Sequence, residues 1–430
     1  MNDINNKCEC NFCNNILVKE LFNTFIVKEN SPIFCSNFLK KIEISKDKIV
    51  SNLIDYKTNN PLFSYYIGAF WINKNQSLII KPKIENIDFF KMFNKCLEYS
   101  NIIKDFHSIY NINFDEKTIK HKDSSLINSL DILIVIHFIK LLELELHNGL
   151  KRNFIKKEEN LNSKIKGKIL FSNNIRKNLV NNRNDRIYCS YLDYDINCLE
   201  NRILKKALKI CISKNIKNNY SYCASFFNEV SDELHLYELN KVKLNPLYKK
   251  YKILIELAIK IIKMKRYKDT HNINEAPPFY INMSLLFEKY VYSLLKEKLK
   301  NTENTILYQK SYLNGRFIPD FIIKGKDYNY IADTKYKEIY INHYDKKEIY
   351  INHYDKNDIM QLSSYSRIAK ITDEFKEDKE YQENNYIPKC LIIYVNNDND
   401  NDNNIDFNNI EEIKHFVNFY KLKVSLPVFE

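Results

Sequence analysis

Charged residues interrupt two short apolar segments near the end of the chain, and they limit what this part of the sequence can fold into. The segments lie within FIPDFIIKGKDYNYIADTKYK, with Asp320 in the first and Asp333 and Lys335 in the second. Side chains two residues apart on a strand lie on the same face, so Asp333 and Lys335 share one. A hairpin-type pairing of the two predicted strands can bring Asp320 beside them.

This grouping of two carboxylates and an amine suits the hydrolysis of a phosphodiester. Two carboxylates can hold Mg²⁺, a hard ion that prefers oxygen ligands and retains water. The metal lowers the pKa of that water, and a neighbouring Lys orients it and adds positive charge near the phosphate. Buried carboxylates without a counter-charge are costly, so a metal and Lys335 would explain why Asp320 and Asp333 lie in apolar strands. The alternative is a chance D-(x12)-D-x-K spacing of surface charges.

Three further residues are candidates for the same site. Glu288 lies in the apolar run LLFEKYV, where an acid is unexpected, and it could complete the metal site. The alternative for Glu288 is an ordinary position on an amphipathic helix. Gln361 and Tyr365 are four apart and share one face of a predicted helix. A Gln there can contact a phosphate or the metal-bound water, and a Tyr can pack against the strand of Lys335.

The last third of the chain is predicted to fold in the order α-β-β-β-α-β. The Pro pair at 277–278 breaks a helix and marks a domain boundary before it. The predicted elements are a helix over 283–299, strands over 305–312, 316–323 and 328–335, a helix over 358–370 and a strand over 390–395. The first two strands meet at Asn314-Gly315, a dipeptide that favours a tight type I′ hairpin.

The earlier parts of the chain differ in character. Two β-rich runs, 65–72 and 77–80, flank a turn-like stretch. From about 124 to 265 the pattern is mainly helical, with a long helix that ends near Asn148-Gly149 and a strand-like piece at 167–171. We therefore expect a multidomain α+β protein with a β-rich amino-terminal domain (1–115), a mainly helical middle domain (116–275) and a carboxy-terminal α/β domain (276–430).

The bulk composition restricts the surroundings and partners of the chain. Its net charge of +12 is compatible with a polyanion such as DNA, although a Lys-rich surface alone would also produce it. Ten Cys and no apolar leader predict reduced thiols in a cytoplasm. Cys8, Cys10 and Cys13 could begin a zinc site with Cys35 as fourth ligand, and ordinary thiols are the alternative. The most apolar stretch, 132–142, is too short to span a membrane.

A decapeptide, KEIYINHYDK, occurs at 337–346 and again without change at 347–356. A single faithful copy indicates a recent duplication, because a functional repeat array needs several units to stack. The paired His343 and His353 are therefore weak candidates for metal ligands. Residues 396–404 (NNDNDNDNN) are predicted to form a polar low-complexity loop.

Together these motifs resemble McrC, the nuclease subunit of the McrBC modification-dependent restriction system, whose nuclease domain is of the PD-(D/E)xK type. In the last domain the resemblance rests on Leu286-Phe287-Glu288, Pro319-Asp320, Asp333-Thr334-Lys335-Tyr336-Lys337 and Asp358-x-x-Gln361-x-x-x-Tyr365. In the middle it rests on Gly149-Leu150-x-Arg152, Gly167-Lys168-Ile169 and Asn197 through Asn201-Arg202-Ile203-Leu204. Near the start, Gly68 to Trp71 and Ile80-Lys81-Pro82-Lys83-Ile84 are similar to the family's amino-terminal strands.

The resemblance implies a function shared with a second protein. The partner would be an AAA+ GTPase of the McrB type that reads 5-methylcytosine and drives translocation. This chain would stimulate that GTPase, through residues 1–115, and cut double-stranded DNA with Mg²⁺. The sequence agrees on one point, since it has five Gly and no G-x-x-x-x-G-K-[ST], so GTP would be bound by the partner. Two alternatives are a non-cleaving activator of the motor and a stand-alone repair nuclease, which would need only the last domain.

The spacing between Lys335 and Gln361 departs from the family's pattern. They are 26 residues apart, and removing one copy of the decapeptide leaves 26 − 10 = 16, an ordinary strand-to-helix connection. The duplication is therefore predicted to be an insertion beside the site.

Overall fold

A computed structural model gives the arrangement of most of the chain as a mixed α/β protein with several sheets. It describes residues 13, 16–18, 24–43, 53–55, 61–84, 86–114, 117–120, 124–212, 220–242, 249–271, 275–336, 356–376, 386–396 and 405–429. The chain divides into two compact units, one of Met1–Ser129 with Ile273–Glu430 and one of Leu130–Asn272. The division into three domains stays a prediction.

Nineteen strands and eleven α-helices are interspersed along the described residues. The strands are β1 Leu17–Val18, β2 Thr24–Lys28, β3 Ile54–Asp55, β4 Leu62–Phe63, β5 Tyr66–Asn73, β6 Gln76–Lys81, β7 Tyr110–Ile112, β8 Ile119–Lys120, β9 Asn153–Asn162, β10 Lys168–Ile169, β11 Arg186–Asp195, β12 Glu275–Ala276, β13 Phe279–Asn282, β14 Thr305–Tyr308, β15 Phe321–Lys324, β16 Tyr330–Lys335, β17 Lys389–Asn396, β18 Glu411–Glu412 and β19 Phe419–Ser425. The helices are α1 Ser36–Glu43, α2 Phe89–Cys96, α3 Ser100–Asp105, α4 Ser124–Leu146, α5 Phe171–Lys177, α6 Leu199–Ile212, α7 Tyr220–Ser225, α8 Lys249–Thr270, α9 Met283–Lys298, α10 Lys356–Ser366 and α11 Ala369–Thr372.

A six-stranded sheet, here the amino-terminal sheet, has the order β1-β2-β6-β5-β13-β7. The β5–β6 hairpin confirms the two β-rich runs read from the sequence. β13 enters from much later in the chain and pairs antiparallel with both β5 and β7. Gly68 of β5 has φ +145, and a Cβ there would lie 2.1 Å from the carbonyl oxygen of Phe279. Glycine therefore allows β13 to pair closely with β5.

A second six-stranded sheet, the carboxy-terminal sheet, has the order β14-β15-β16-β17-β19-β18. β14, β15 and β16 are antiparallel neighbours, whereas β17 lies parallel to both β16 and β19. α9 precedes these strands and α10 connects β16 to β17, so the predicted order α-β-β-β-α-β is present. One face of α10 packs Ile359, Leu362 and Tyr365 into the same apolar core as Ile331 and Ile392. The sheet thereby places the end of β16 beside α10.

The hairpin between β14 and β15 turns at the predicted dipeptide, on a loop of four residues. Tyr312 and Phe317 form an isolated bridge, which leaves 313–316 between them with Asn314-Gly315 at the middle. Leu313, Asn314 and Gly315 all have positive φ, and Gly315 N donates to the carbonyl oxygen of Tyr312 at 3.2 Å. Two adjacent residues with positive φ are what a type I′ turn requires, and Asn tolerates that conformation well.

The unit of Leu130–Asn272 contains a sheet that the helical pattern did not predict. β9 and β11 pair antiparallel over ten residues each, and β10 adds a third strand, Lys168–Ile169, where residues 167–171 were expected. Most side chains of β9 are exposed or half-exposed, so the strand shows little apolar alternation. The long helix α4 was predicted, and Gly149, with φ +76, lies three residues beyond its end.

Among the residues described, no helix is both long and apolar enough to cross a membrane.

Candidate active site

The two aspartates and the lysine that the sequence singled out lie together where β15 and β16 meet. The antiparallel register of these strands carries Asp320, just before β15, opposite Asp333. One carboxylate oxygen of Asp320 accepts hydrogen bonds from Thr334, at 2.7 Å from the backbone N and 2.6 Å from Oγ1. Lys335 Nζ forms an ion pair with Asp333 Oδ2. Asp333 and Lys335 therefore share a face of β16, as their spacing predicted, with Asp320 beside them.

Burial and mutual repulsion raise the pKa of both aspartates. Asp333 is almost completely buried, and burial, followed by the charge of Asp320, raises its pKa to about 7. Burial, followed by the charge of Glu288, raises the pKa of Asp320 to about 6. Burial opposes the charge of Lys335, but the carboxylates of Asp333 and Asp358 outweigh it and raise the pKa of this amine. The site thus concentrates acidic groups around one cationic amine.

A chain of hydrogen bonds leads from Lys335 to the hairpin before β15. Lys335 Nζ donates to Gln361 Oε1 at 3.0 Å, and Gln361 Nε2 donates to the hydroxyl oxygen of Tyr365 at 3.0 Å. That hydroxyl donates to the carbonyl oxygen of Ile318 at 3.3 Å. Gln361 and Tyr365 share a face of α10, as predicted, and both belong to the surroundings of Lys335. This chain limits the positions that the lysine amine can take.

Glu288 reaches the same group from α9. Its charge and those of Asp320 and Asp333 act on one another, which places all three acids within electrostatic range. Burial is the main cause of the raised pKa of Glu288. Gln309 Nε2 donates to Glu288 Oε1 at 2.6 Å, while Gln309 N donates to the carbonyl oxygen of Asp320 at 2.9 Å. Gln309 has φ +45, a conformation that a side chain other than Gly adopts at some cost.

Asp358 also belongs to the acidic group, although it was not among the candidate residues from the sequence. It lies at the start of α10, is 4% exposed, and its Oδ1 is 3.6 Å from Lys335 Nζ. The signal was present, because Asp358 opens the Asp-x-x-Gln motif in which Gln361 was singled out. Residues three apart on a helix lie on the same face, so Asp358 is expected beside Gln361 and the motif itself could have indicated it.

The acidic pair suits a small divalent cation. Asp333 Oδ2 is buried and, beyond the ion pair with Lys335, accepts no hydrogen bond from the described residues. Within that same part of the chain, no three or more His, Cys, Asp and Glu side chains are grouped as a complete metal site. Mg²⁺ needs no such cage, since it usually binds through one or two carboxylates and takes other ligands from water and phosphate. Asp320 and Asp333 are such a pair, and Glu288 interacts electrostatically with both.

The other metal candidates from the sequence stay predictions. Cys13 and Cys35 are buried with their Sγ atoms 3.6 Å apart. Four of the candidates lie outside the described residues, namely Cys8, Cys10, His343 and His353. The duplicated decapeptide lies there too, except for Lys356 at the start of α10.

The order of the motifs along the chain agrees with one protein family. A family model described as the McrBC 5-methylcytosine restriction system component matches residues 63–375, well over half of the 430 residues. The chain belongs to this family. The match includes the amino-terminal β5–β6 hairpin, all of the Leu130–Asn272 unit and every residue of the candidate site, so the McrBC assignment covers both units.

Two solved structures are similar to this McrBC component at low sequence identity. One is a refined half-complex from a tetradecameric assembly of Thermococcus gammatolerans McrB AAA+ hexamers with bound McrC. It has 15% identity, covers 94% of each chain and has a TM-score of 0.40. The other is a cryo-EM structure of the Thermococcus gammatolerans McrBC complex, with 15% identity, coverage of 64% of this chain and 88% of that chain, and a TM-score of 0.31. No curated protein matches the sequence significantly.

Proposed function

We propose that this chain is the endonuclease subunit of a 5-methylcytosine-dependent restriction system and that it hydrolyses DNA phosphodiesters with Mg²⁺. The observation that carries the proposal is the grouping of Asp320, Asp333 and Lys335 on two adjacent strands of a family member, with Lys335 paired to Asp333. The order α-β-β-β-α-β and the D-(x12)-D-x-K spacing support a PD-(D/E)xK fold for the part that contains them.

Each residue of the group has a task in this reaction. Mg²⁺ held by Asp320 and Asp333 would supply a water of lowered pKa and neutralise charge at the phosphate. Thr334 holds the Asp320 carboxylate in place through its two hydrogen bonds. Lys335 donates to the attacking water and to a phosphate oxygen, and its amine stays charged near neutral pH because of the acids around it. Gln361 keeps this amine directed at the site.

A partner of the McrB type, an AAA+ GTPase, is part of the proposal. The family is named for a restriction system and not for one enzyme. These 430 residues contain no G-x-x-x-x-G-K-[ST], and the proposal therefore places the nucleotide site on the partner. We expect this chain to stimulate the GTPase of that partner and to cut double-stranded DNA in the complex.

The experiment is a cleavage assay on methylated and unmethylated duplex DNA, with the McrB-type partner, GTP and Mg²⁺. Asp333→Asn and Lys335→Ala should lose cleavage by at least about 100-fold, because each removes charge from the reacting centre. Both should keep GTPase stimulation, since we assign that activity to residues 1–115. Arg367→Ala serves as a control for a charge lost from the end of α10 outside the acidic group.

The outcomes separate the two classes of function. Cleavage that needs Mg²⁺ and stops in both variants supports the enzyme. GTPase stimulation by a wild-type protein that never cuts would instead identify an activator without nuclease activity. Full cutting by either variant would contradict the site assignment.

A further inference from the structure

Tyr336, the residue that follows Lys335, is held by two residues of the amino-terminal sheet region. Its ring is 2% exposed, and its hydroxyl donates to Glu29 Oε1 at 2.8 Å. Its carbonyl oxygen accepts from Lys83 Nζ at 2.9 Å, and the same Nζ lies 4.0 Å from the centre of the Tyr336 ring. Both ends of Tyr336, backbone and hydroxyl, are thus bound by groups more than 250 residues earlier in the chain.

Glu29 and Lys83 are also bound to each other. Glu29 follows β2 and is 2% exposed, and its Oε1 accepts from Lys83 N at 3.0 Å. Glu29 N in turn donates to the carbonyl oxygen of Lys81 at 2.9 Å, which continues the parallel pairing of β2 and β6. A buried carboxylate needs such partners, so Glu29, Lys83 and Tyr336 form one connected cluster. We call these three residues the clamp.

Aromatic packing extends the clamp to the helix that carries Glu288. The Tyr336 ring packs on Phe287, with ring centres 5.9 Å apart, and edge-on against Tyr65, at 6.0 Å. Phe287 is fully buried and directly precedes Glu288 on α9. The clamp therefore includes the residue that follows Lys335, and it contacts the residue that precedes Glu288.

At the end of β16 the backbone ladder has a partner on one side only, and on the β15 side the contact is between the Asp320 side chain and Thr334. β16 pairs with β15 only as far as Ala332, and from Asp333 to Lys335 its one ladder partner is β17. A strand end with a single neighbour frays more easily than one paired on both sides. The clamp holds the residue immediately after Lys335, and so it opposes fraying at the position of the amine.

We propose that Glu29, Lys83 and Tyr336 position Lys335 for catalysis, so that the amino-terminal sheet is a working part of the nuclease site. This inference rests on the proposed nuclease function. It gives a role to Lys83 of the Ile80-Lys81-Pro82-Lys83-Ile84 motif and to Tyr336, which follows Lys335 in the chain. All three are positioning residues, since they act through the backbone of β16.

The test compares substitutions of the clamp in the full chain with the partner present. Lys83→Met removes the donor to the Tyr336 carbonyl oxygen, whereas Lys83→Arg keeps a cationic donor. Tyr336→Phe keeps the ring and removes only the bond to Glu29. Loss of a supporting contact behind a metal-dependent site commonly costs about 10- to 100-fold in activity. We expect a fall of kcat in that range for Lys83→Met and a smaller fall for Tyr336→Phe.

A positioning role has a signature that general destabilisation lacks. KM for DNA should stay within about twofold of wild type, because Glu29 and Tyr336 are buried and the half-buried Lys83 amine is bound to the Tyr336 carbonyl oxygen. Lys83→Arg should recover most of kcat. Tyr330→Phe, at the opposite end of β16, should leave kcat unchanged. Circular dichroism at the assay temperature and the Tm of each variant show whether it is folded. If Lys83→Met is not folded, the kcat values of Lys83→Arg and Tyr336→Phe test the positioning role.

Two failures remain distinguishable. A wild-type complex that does not cut contradicts the proposed nuclease function and this inference with it. A wild-type complex that cuts, together with folded Lys83→Met and Tyr336→Phe that cut at the same kcat, overturns the positioning role alone. A loss of the same size in Tyr330→Phe overturns it as well, since the effect would then be general to the strand.

Discussion

At the scale of single residues, the candidate site is defined by acids that resist ionisation together. Asp333 is buried beside Asp320, and their pKa values are raised to about 7 and about 6. In the fold without metal these two groups bind protons more tightly than they do in the unfolded chain. Their contribution to the free energy of unfolding therefore falls as pH rises from about 4 through about 7. A divalent cation would reverse this, because it binds the charged form.

We expect Mg²⁺ to stabilise the protein more at higher pH. Cation binding requires both carboxylates to lose their protons, so apparent affinity should rise steeply between about pH 6 and pH 7 and binding should release protons. Thermal unfolding from pH 5 to pH 8, in Mg²⁺ and in EDTA, measures this. The difference between the Tm in Mg²⁺ and the Tm in EDTA should grow with pH in wild type, and it should be smaller in Asp333→Asn than in wild type. A difference independent of pH in wild type would argue against metal binding by this pair.

At the scale of secondary-structure elements, the sheets explain how distant parts of the sequence meet. β13 is the first strand after the Pro pair, and it completes the amino-terminal sheet between β5 and β7. The β13–β5 pairing ends at Asn282, and α9, which carries Glu288, begins at the next residue, Met283. The position of Glu288 thus depends on the close approach of β13 to β5, which Gly68 permits.

Gly68→Ala should destabilise the protein more than Gly149→Ala does. Both glycines have positive φ, so both substitutions carry a backbone cost of about 1–2 kcal/mol. A Cβ on Gly149 meets nothing within 4 Å, whereas one on Gly68 would overlap the Phe279 carbonyl, so β13 would have to move. Chemical denaturation of the two variants measures the difference. Equal losses of unfolding free energy would contradict the role given to the β13–β5 contact.

At the scale of the whole molecule, the carboxy-terminal sheet and the amino-terminal sheet belong to one compact unit. β13 of the amino-terminal sheet leads directly into α9, which precedes the carboxy-terminal sheet, and the clamp joins residue 29 to residue 336. We propose two tasks for the amino-terminal region, stimulation of an McrB-type partner and support of the candidate site through the clamp.

We predict that deleting residues 1–115 ends stimulation of the partner GTPase. The same deletion removes β5 and β7, the two neighbours of β13, and two of the three clamp residues. GTP hydrolysis by the partner, with and without the truncated protein, measures the first effect. Circular dichroism shows whether the remainder is folded. Stimulation by residues 276–430 alone would refute the assignment.

We predict that the second decapeptide copy, residues 347–356, is not needed for cutting. Only one copy is needed to connect β16 to α10, and doubling a loop costs roughly 0.6 kcal/mol in closure entropy. Deleting residues 347–356 should leave cleavage and DNA affinity unchanged or improved. A large loss of cutting by a folded deletion variant would show that the Tyr and Lys side chains of residues 347–356 bind DNA, as aromatic and basic residues can.

The sequence alone determined the local features of the site. A period of two placed Asp333 and Lys335 on one face, a period of four placed Gln361 beside Tyr365, and the polar interruption of apolar runs marked Asp320 and Glu288. Each of these features depends on neighbours within one helix, one strand or one hairpin. When one face of such an element is buried, its sequence shows a periodic apolar pattern. The β9–β11 pair was missed for the same reason, because β9 is exposed or half-exposed along its whole length and so leaves no apolar alternation.

Only the tertiary structure decided which elements meet. The approach of Asp358 to Lys335, the entry of β13 into the amino-terminal sheet and the bonds of Tyr336 to Glu29 and Lys83 join positions between about 20 and 300 residues apart. Contacts at such separation depend on which sheet edges are free and which surfaces fit. The entropy cost of closing the intervening loop depends on its length and not on the local sequence pattern. No local periodicity records that choice, because the same alternating strand can pair with any compatible edge.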